Sequence, residues 1–236
     1  MQKMRIGLIS DVHGNISALE KCFKYLKKET DEIIFLGDAI GYLPSGYECF
    51  HFLLENNVAC IKGNHEEMLL GNLPIKEGNK AVYKLEEVRN KFLKSDTEKL
   101  NQWPIKIERK FNNLKYLFVH GSPSDYTNGY IYPDTDLSEY ALLDFDCIIT
   151  AHTHRPFIKQ QANKCFGNIG SVGLPRDTGM LSSFGILDLE KKSVEIKRME
   201  LDKNTVQEYL KSTEIHPLVK KVFTRNSNIY IGKLII

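Results

Sequence analysis

Five short apolar runs constrain the fold of this chain, because each is followed at once by acidic, amide or imidazole side chains. The runs are rich in β-branched and aromatic residues, which is typical of buried strands. They occupy residues 6–9, 33–36, 58–61, 116–119 and 147–149. If they are strands of one sheet, the polar segments meet at the edge where open sheets with helical crossovers carry their sites. The sequence therefore predicts an α/β fold in which distant residues converge.

The polar segments after these runs carry the ligand types of a metal site. In Asp11-Val12-His13, the i, i+2 spacing in an extended segment directs both polar side chains to the same side. His152 and His154 repeat that spacing, and two such imidazoles are unusual as core packing, which favours metal binding. The remaining segments are Gly37-Asp38, Gly63-Asn64-His65-Glu66 and His120-Gly121. Each segment also has a structural interpretation, as a strand-end cap, a turn, or a helix N-cap at Asn64 with Glu66 in the first turn.

Taken in order, the segments Asp-x-His, Gly-Asp, Gly-Asn-His-Glu, His-Gly and His-x-His resemble the pattern of the calcineurin-like metallophosphoesterase superfamily. This resemblance spans residues 11–154 and implies two metal ions. One ion would be held by Asp11, His13, Asp38 and His154. The other would be held by Asp38, Asn64, His120 and His152. Asp38 would be the bridging carboxylate, and His65 would stay off the metals near the leaving group.

Two-metal chemistry explains why these residue types occur together. Two ions about 3.5–4 Å apart can bind both the attacking and the leaving oxygen of an in-line displacement. Carboxylate and imidazole ligands suit Mn, Fe, Zn or Ni more than calcium. A bound water whose pKa falls to about 7 supplies hydroxide, and His65, with an ordinary pKa of about 6.5, is suited to protonating the departing alkoxide. We therefore predict a phosphoesterase with two divalent or trivalent transition-metal ions and a metal-bound hydroxide as nucleophile.

The residues around the predicted ligands restrict the class of substrate that the sequence predicts. Residues 37–44, 120–123, 152–156 and 168–176 resemble the bacterial and archaeal branch that includes diadenosine tetraphosphate hydrolases and phosphodiesterases. The predicted substrate is therefore a phosphodiester or a dinucleoside polyphosphate, a phosphate-ester small molecule of nucleotide type. Arg155 and Arg176 are candidates for binding substrate phosphate, because a guanidinium can contact two phosphate oxygens at once. Ordinary surface arginines near a loop would give the same pattern.

Two positions depart from the family pattern, and other functions stay open. Ala151 stands where glycine is common, and Glu66 stands where aspartate is frequent; a hydrogen bond to Glu66 would orient His65. The alternatives are a phosphomonoesterase or protein phosphatase, and a non-catalytic binding module on the same fold. Such modules tend to lack ligand histidines, which this chain retains. A nuclease would need a basic groove, which a net charge of +2 with interspersed acids does not indicate.

The remaining patterns predict a single domain over residues 1–236. Alternation in residues 157–161, 164–168, 183–187 and 193–198 predicts a second, antiparallel group of strands facing the first. A two-sheet αββα sandwich follows, as the resemblance also implies. Helical periodicity at residues 80–93 and 95–103 predicts a small cap inserted at about residues 66–103, either a lid or a covering layer. An extra tail follows at about residues 212–236, and its apolar end, residues 229–236, is expected to pair with a sheet or to form a homo-oligomer.

Composition excludes several classes of protein. With 42% hydrophobic and 26% charged residues, the 236-residue chain is typical of a globular domain with a substantial core. No apolar run approaches the roughly 18 residues of a membrane span, and no signal peptide is expected. Five scattered cysteines without a Cys-x-x-Cys pair favour a reducing cytoplasm over a disulfide framework. Tyr126, Tyr130 and Tyr132 follow His120 and could stack on a nucleobase or serve in packing.

Overall fold

The computed structural model describes residues 4–227 and 230–235, in which two β-sheets stack face to face. The strands are β1 Arg5–Ile9, β2 Glu32–Phe35, β3 Ala59–Cys60, β4 Lys106–Phe111, β5 Leu114–Val119, β6 Cys147–Thr150, β7 Phe157–Gln161, β8 Lys164–Asn168, β9 Leu181–Asp188, β10 Ser193–Glu200 and β11 Lys233–Ile235. The helices are α1 Ile16–Glu29, α2 Gly46–Glu55, α3 Asn64–Leu70, α4 Glu77–Tyr83, α5 Leu85–Arg89, α6 Lys94–Asn101, α7 Lys203–Lys211 and α8 Pro217–Phe223. The predicted mixed α/β fold with two sheets is confirmed.

The two sheets are both mixed, with the orders β11-β10-β9-β1-β2-β3 and β4-β5-β6-β8-β7. The prediction that one sheet carries all five site strands was wrong, because β1, β2 and β3 lie in the first sheet whereas β5 and β6 lie in the second. The predicted second group of strands is divided in the same way. β7 and β8 join β6, and the β9–β10 hairpin pairs antiparallel with β1. Alternation along a strand indicates which face is buried, but it does not select the neighbouring strand.

Side chains of both sheets form the core between them. Ile6 and Leu8 of β1 lie there with Tyr116 and Phe118 of β5, all fully buried. Because successive side chains of a strand point to opposite faces, Leu117 of β5 packs in a separate cluster outside the second sheet. The strands β1, β2 and β3 are parallel to one another, and β5 is parallel to β6. Their carboxyl ends therefore deliver the polar segments to one end of the sandwich.

Helix α1 covers the outer face of the first sheet. Its N-cap is Asn15, whose side chain accepts the N–H of Ala18 at 3.2 Å. Leu19, Phe23 and Leu26 recur at helical spacing and are buried in the cluster between helices and sheet. The cap thus begins the helix directly after the first polar segment, and the buried stripe fixes its rotation.

Helices α3 to α6 lie between β3 and β4. The predicted helical stretch at residues 80–93 is interrupted at Lys84, whose left-handed φ of 54° separates α4 from α5. The N–H of Tyr42 donates to the carbonyl of Tyr83 at 2.8 Å, which ties the end of α4 to the loop after β2. Trp103, just beyond α6, is buried in the main core. These contacts bring the inserted helices against the end of the sandwich that carries the polar segments.

The C-terminal segment returns to the first sheet. Strand β11 pairs in parallel with β10, with Ile235 opposite Met199. The prediction that the apolar end pairs with a sheet is confirmed for Lys233–Ile235; residues 229 and 236 of that stretch lie outside the described residues. Residues 1–3 also lie outside the described residues. Among the described helices, none has the length and apolar character needed to cross a membrane.

Candidate metal centre

Seven side chains predicted to be metal ligands converge at one end of the sandwich. The loops after β1, β2 and β3 supply four of them, and the loops after β5 and β6 supply three. They are Asp11, His13, Asp38, Asn64, His120, His152 and His154, and all are buried. With His65, they bring five of the chain's seven histidines into one cluster. Residues up to 143 positions apart, Asp11 and His154 among them, thus meet where the two sheets adjoin.

The backbone at five of these seven positions is left-handed. The φ angles are 51° at Asp11, 50° at His13, 62° at Asp38, 66° at His152 and 57° at His154. Non-glycine residues rarely adopt this conformation, and the extended segment predicted for residues 11–13 was therefore wrong. The N–H of Asp11 donates to the Gly37 carbonyl and the N–H of His13 to the Asp38 carbonyl, each at 3.0 Å. These bonds to the next loop hold residues 11–13 in the unusual conformation, and both side chains still reach one pocket.

The first group of ligand atoms comes from both sheets. His154 Nε2 lies 3.2 Å from Asp11 Oδ1 and 3.0 Å from His13 Nε2. The Nδ1 atom of His13 lies 3.2 Å from the Ile40 carbonyl oxygen, and that of His154 lies 2.6 Å from the Leu174 carbonyl oxygen. Because a carbonyl only accepts, each Nδ1 carries the hydrogen and each Nε2 lone pair faces the pocket.

The second group shares an oxygen with the first. His120 Nε2 lies 3.1 Å from Asn64 Oδ1 and 3.1 Å from His152 Nδ1. Asp38 Oδ2 lies 3.4 Å from His120 Nε2 and 3.6 Å from His13 Nε2. One carboxylate oxygen therefore lies between the two groups of nitrogen and oxygen atoms.

The donor atoms fit transition-metal ions. Two imidazole lone pairs that face each other, as on His13 and His154 with Nε2 atoms 3.0 Å apart, repel each other unless a proton or a metal ion lies between them. Ligand atoms about 2.1 Å from a metal and at right angles are about 3.0 Å apart, which is the spacing found here. Asp11 Oδ1 is buried without a hydrogen-bond partner, and a buried carboxylate oxygen requires one or a metal.

Burial and neighbouring charges shift the pKa values in the cluster. Burial opposes the ionisation of Asp11 and Asp38, but the imidazoles beside them, His154 and His120 foremost, hold both carboxyl pKa values well below their usual range. Burial lowers the pKa of His152 to about 3 and that of His154 to about 4. For His120, the nearby Asp38 carboxylate outweighs burial and raises the pKa to about 9. The ionised carboxylates and the neutral rings of His152 and His154 are in the protonation states that bind metals, whereas His120 would have to release its proton to bind one.

His65 lies beside the ligand groups. Its Nε2 is 4.0 Å from Asp38 Oδ2, and its ring contacts Tyr42 and Tyr83, with centroid distances of 5.0 and 4.6 Å. Its Nδ1 is buried without a hydrogen bond. Burial lowers the pKa of His65 to about 3. The ring is therefore neutral in the protein alone, and an anionic substrate would raise its pKa.

Glu66 does not hydrogen-bond to His65, so that prediction was wrong. Its carboxylate accepts three hydrogen bonds of 2.8 Å, from the backbone N–H groups of Asp38, Ala39 and Gly63. Burial raises the pKa of Glu66 to about 7, while these donors oppose the rise. Gly63, rather than Asn64, is the N-cap of α3. Glu66 thus joins the loop of Asp38 to the start of the helix that carries Asn64.

Arg155 and Arg176 lie beside the first ligand group, and both line a cavity next to His154. Arg155 is exposed and Arg176 is half-buried. The backbone N–H of Arg176 donates to the carbonyl of His154 at 3.2 Å. Ala151 is buried, and its N–H donates to the His120 carbonyl at 2.9 Å. Its methyl group is thus accommodated at a position where the family commonly has glycine.

Two of the three predicted stacking tyrosines border the cluster. The ring of Tyr130 lies 4.2 Å from that of His152, and Tyr132 stacks on Tyr130 with 5.9 Å between centroids. Tyr126 lies apart, packed on the outer face of the second sheet, with the ammonium group of Lys106 5.1 Å from its ring centroid.

Sequence reasoning missed the residues that hold the ligand loops in place. The Asn168 side chain donates to the Ala151 carbonyl and, at 3.1 Å, to Thr153 Oγ1. Ser171 Oγ donates to the Asp11 carbonyl at 2.7 Å. The available signal was that Asn168 and Ser171 lie at and just after the end of β8, within residues 168–176, which resemble the family branch. No spacing rule distinguishes such supports from ordinary loop residues.

Comparisons with known proteins agree with this geometry. The sequence model of the calcineurin-like phosphoesterase superfamily domain matches residues 4–192. An uncharacterized protein of Methanocaldococcus jannaschii is 30% identical over 226 residues, which cover 86% of this chain and 90% of the relative. Phosphodiesterase YfcE of Escherichia coli is 24% identical over 199 residues, which cover 81% of this chain and 91% of YfcE. The crystal structure of a metallophosphoesterase from Sphaerobacter thermophilus has the same fold, with a TM-score of 0.76, 24% identity and coverage of 94% of this chain and 99% of that one. The chain therefore belongs to the calcineurin-like phosphoesterase superfamily and is a phosphoester hydrolase.

Proposed function

We propose that this protein hydrolyses phosphodiesters or dinucleoside polyphosphates with two transition-metal ions. The observation that carries this proposal is Asp38 Oδ2, which lies between two groups of ligand atoms and within 3.6 Å of an imidazole nitrogen in each. A shared carboxylate at this position is what a two-metal site requires. The first ion would be held by Asp11, His13, Asp38 and His154. The second would be held by Asp38, Asn64, His120 and His152.

The bound ions, Mn, Fe, Zn or Ni, would polarise the phosphoryl group and lower the pKa of a water molecule that attacks it. The chain itself needs no serine or cysteine nucleophile, and its five cysteines are all buried and unpaired. Such thiols support a reducing compartment, the cytoplasm. His65 is assigned to the leaving oxygen, since substrate phosphate next to its ring stabilises the protonated form. Tyr42 and Tyr83 fix the plane of that ring.

The substrate class follows from the surroundings of the centre. The cavity next to His154 has a volume of about 560 Å³, which suits a nucleotide-sized ligand better than a single phosphate group. Arg155 and Arg176 line it and are assigned to substrate phosphate. The relative YfcE, described as a phosphodiesterase, supports diester cleavage. A phosphomonoesterase is the second candidate, because the same centre serves both reactions.

The first experiment measures hydrolysis by chelator-stripped protein after addition of Mn²⁺. Bis-p-nitrophenyl phosphate, p-nitrophenyl phosphate and diadenosine tetraphosphate are compared at equal metal content. Metal-dependent cleavage of the diester or the dinucleotide supports the proposal, whereas preference for the monoester favours the second candidate. No turnover with both metals bound would refute hydrolysis and leave a binding module.

Three variants test the assigned roles. Asp11→Asn should lose metal, while His65→Ala should keep both metals and lose most turnover. His51→Ala is the matched control, because His51 contacts Asp96 at 3.4 Å, outside the centre. Undiminished turnover in His65→Ala would refute the role given to that ring.

A further inference from the structure

The charged side chains that line the cavity next to His154 are all positive. Among the described residues that line it are four cationic side chains and no aspartate or glutamate. The four are Arg155, Arg176, Lys221 and Arg225. Lys221 and Arg225 belong to the C-terminal segment, beyond the residues 4–192 that the family matches. We call these four side chains the basic cluster.

The C-terminal part of the basic cluster is held firmly against the loop before β9. Val219 and Phe223 of α8 are buried. The N–H of Gly179 donates to the Arg225 carbonyl at 3.0 Å, and a Cβ atom on Gly179 would lie only 2.0 Å from the Val222 carbonyl oxygen. The end of α8 therefore packs directly on the backbone at this position, and a side chain at Gly179 would displace it.

The same loop holds a predicted metal ligand. The ring of His154 donates to the Leu174 carbonyl at 2.6 Å, and the N–H of Arg176 donates to the His154 carbonyl at 3.2 Å. The guanidinium of Arg225 donates to the Arg176 carbonyl at 3.2 Å. Arg225 is thus connected to His154 through one intervening residue, so that the distance between the basic cluster and the centre is fixed.

The basic cluster has no carboxylate partner within the part of the chain that the structure describes. Burial, together with the positive charges of Arg176 and Arg155, lowers the pKa of Arg225. Like charges held close together repel, and an anion between them would remove that repulsion. One guanidinium group can donate to two phosphate oxygens at once, and a lysine ammonium group adds a compact positive charge beside the same phosphate. The cavity is therefore suited to a phosphate group in addition to the one that faces the metals.

We propose that Lys221 and Arg225, together with Arg176, bind a phosphate group of the substrate that is not the one cleaved. The C-terminal segment then determines specificity and favours substrates with two or more phosphate groups over simple diesters. This inference rests on the proposed function, because it assigns the scissile phosphate to the metal centre.

The test compares kcat/KM for diadenosine tetraphosphate and for bis-p-nitrophenyl phosphate, using metal-loaded full-length protein. In Arg225→Gln and in Lys221→Gln, the ratio of the two values should fall about tenfold, chiefly through a higher KM for the dinucleotide, because each variant removes a charge-assisted contact. Arg225→Lys should recover part of the ratio. Lys220→Gln is the matched control, since it removes an equal charge from α8, the helix that carries Lys221, at a position that does not line the cavity.

The outcomes separate this inference from the proposed function. An unchanged ratio in both variants, or an equal loss for both substrates, would overturn the role of the C-terminal segment. Cleavage of bis-p-nitrophenyl phosphate without cleavage of the dinucleotide would also overturn the role of the C-terminal segment. The proposed hydrolysis at the metal centre would then still be supported. If neither substrate is cleaved with metals bound, the proposed function fails. Calorimetric titration of diadenosine tetraphosphate then tests whether the basic cluster binds the polyphosphate. Weaker binding to Arg225→Gln than to Lys220→Gln supports that role, and equal binding refutes it.

Discussion

The backbone of Gly63 lies against the carboxylate of Asp38, the proposed bridging ligand, and this contact provides a test of the centre. A Cβ atom on Gly63 would lie 2.2 Å from Asp38 Oδ1 and 2.8 Å from the Asp38 nitrogen. The φ angle of Gly63 is −95°, so alanine meets no backbone strain there. The effect of Gly63→Ala therefore comes from the collision alone.

The size of the effect follows from how firmly Asp38 is held. Ordinary contacts of a methyl carbon begin at about 3.5 Å, so the carboxylate or the helix must move by about 1 Å. Asp38 Oδ1 accepts the N–H of His65 at 2.9 Å, and the Asp38 N–H donates to Glu66 at 2.8 Å. Neither bond survives such a shift unchanged. We expect a loss of about 1–3 kcal/mol in the free energy of unfolding and roughly a hundredfold loss in kcat/KM.

The assay combines urea unfolding, metal content and kcat/KM for bis-p-nitrophenyl phosphate. Gly78→Ala is the control for stability and metal content, because no heavy atom lies within 4 Å of a Cβ atom built there. Since Gly78 is an exposed residue of α4, this change should stabilise the protein by about 0.5–1 kcal/mol. Full metal content and near-normal kcat/KM in Gly63→Ala would refute the claim that a methyl group on Gly63 displaces Asp38.

Other parts of the structure are tested by stability and metal affinity. Removal of metals by a chelator should lower Tm by several degrees, and Mn²⁺ should restore it, because the ions bind the folded form; a Tm indifferent to both would contradict the site. Asp177→Asn should reduce the free energy of unfolding by about 3 kcal/mol, because it weakens two bonds of 2.6 and 3.0 Å to the buried guanidinium of Arg198; urea midpoints check this, and a wild-type midpoint would argue against it. Asn168→Asp should weaken metal affinity roughly 10- to 100-fold, because a carboxylate cannot donate to the Ala151 carbonyl; metal titration measures the change, and unaltered affinity would rule out that support.

The convergence of the predicted ligand residues could be anticipated because it depends on residue type and order along the chain. His152 and His154 lie two residues apart after an apolar run, and that pattern is visible without a structure. Their backbone conformation was not visible, because it depends on distant groups. The N–H of His152, for example, donates to Asp11 Oδ2 at 3.2 Å, across 141 residues. No local rule places a non-glycine residue in the left-handed region for such a reason.

The role of Glu66 also depends on distant groups that the local sequence does not reveal. The sequence places it next to His65, and a contact between neighbours was the natural expectation. In the fold, its carboxylate faces three N–H donors from two loops, which bind it more favourably than one imidazole would. The basic cluster could not be predicted from the sequence either, because Lys221 and Arg225 belong to no motif. Only the packing of α8 brings them to the cavity.

The strain at the ligand positions indicates which part of the molecule fixes the centre. Five left-handed non-glycine residues cost about 1 kcal/mol or more each, which together is comparable to the whole stability of a small domain. That strain is offset by bonds from neighbouring loops, such as those of Glu66 to the Asp38 loop and of Ser171 to the Asp11 carbonyl. These bonds are formed by the protein alone. Because these bonds do not involve the proposed metals, chelation should lower stability without unfolding the chain, unlike a zinc finger, which folds only with its metal.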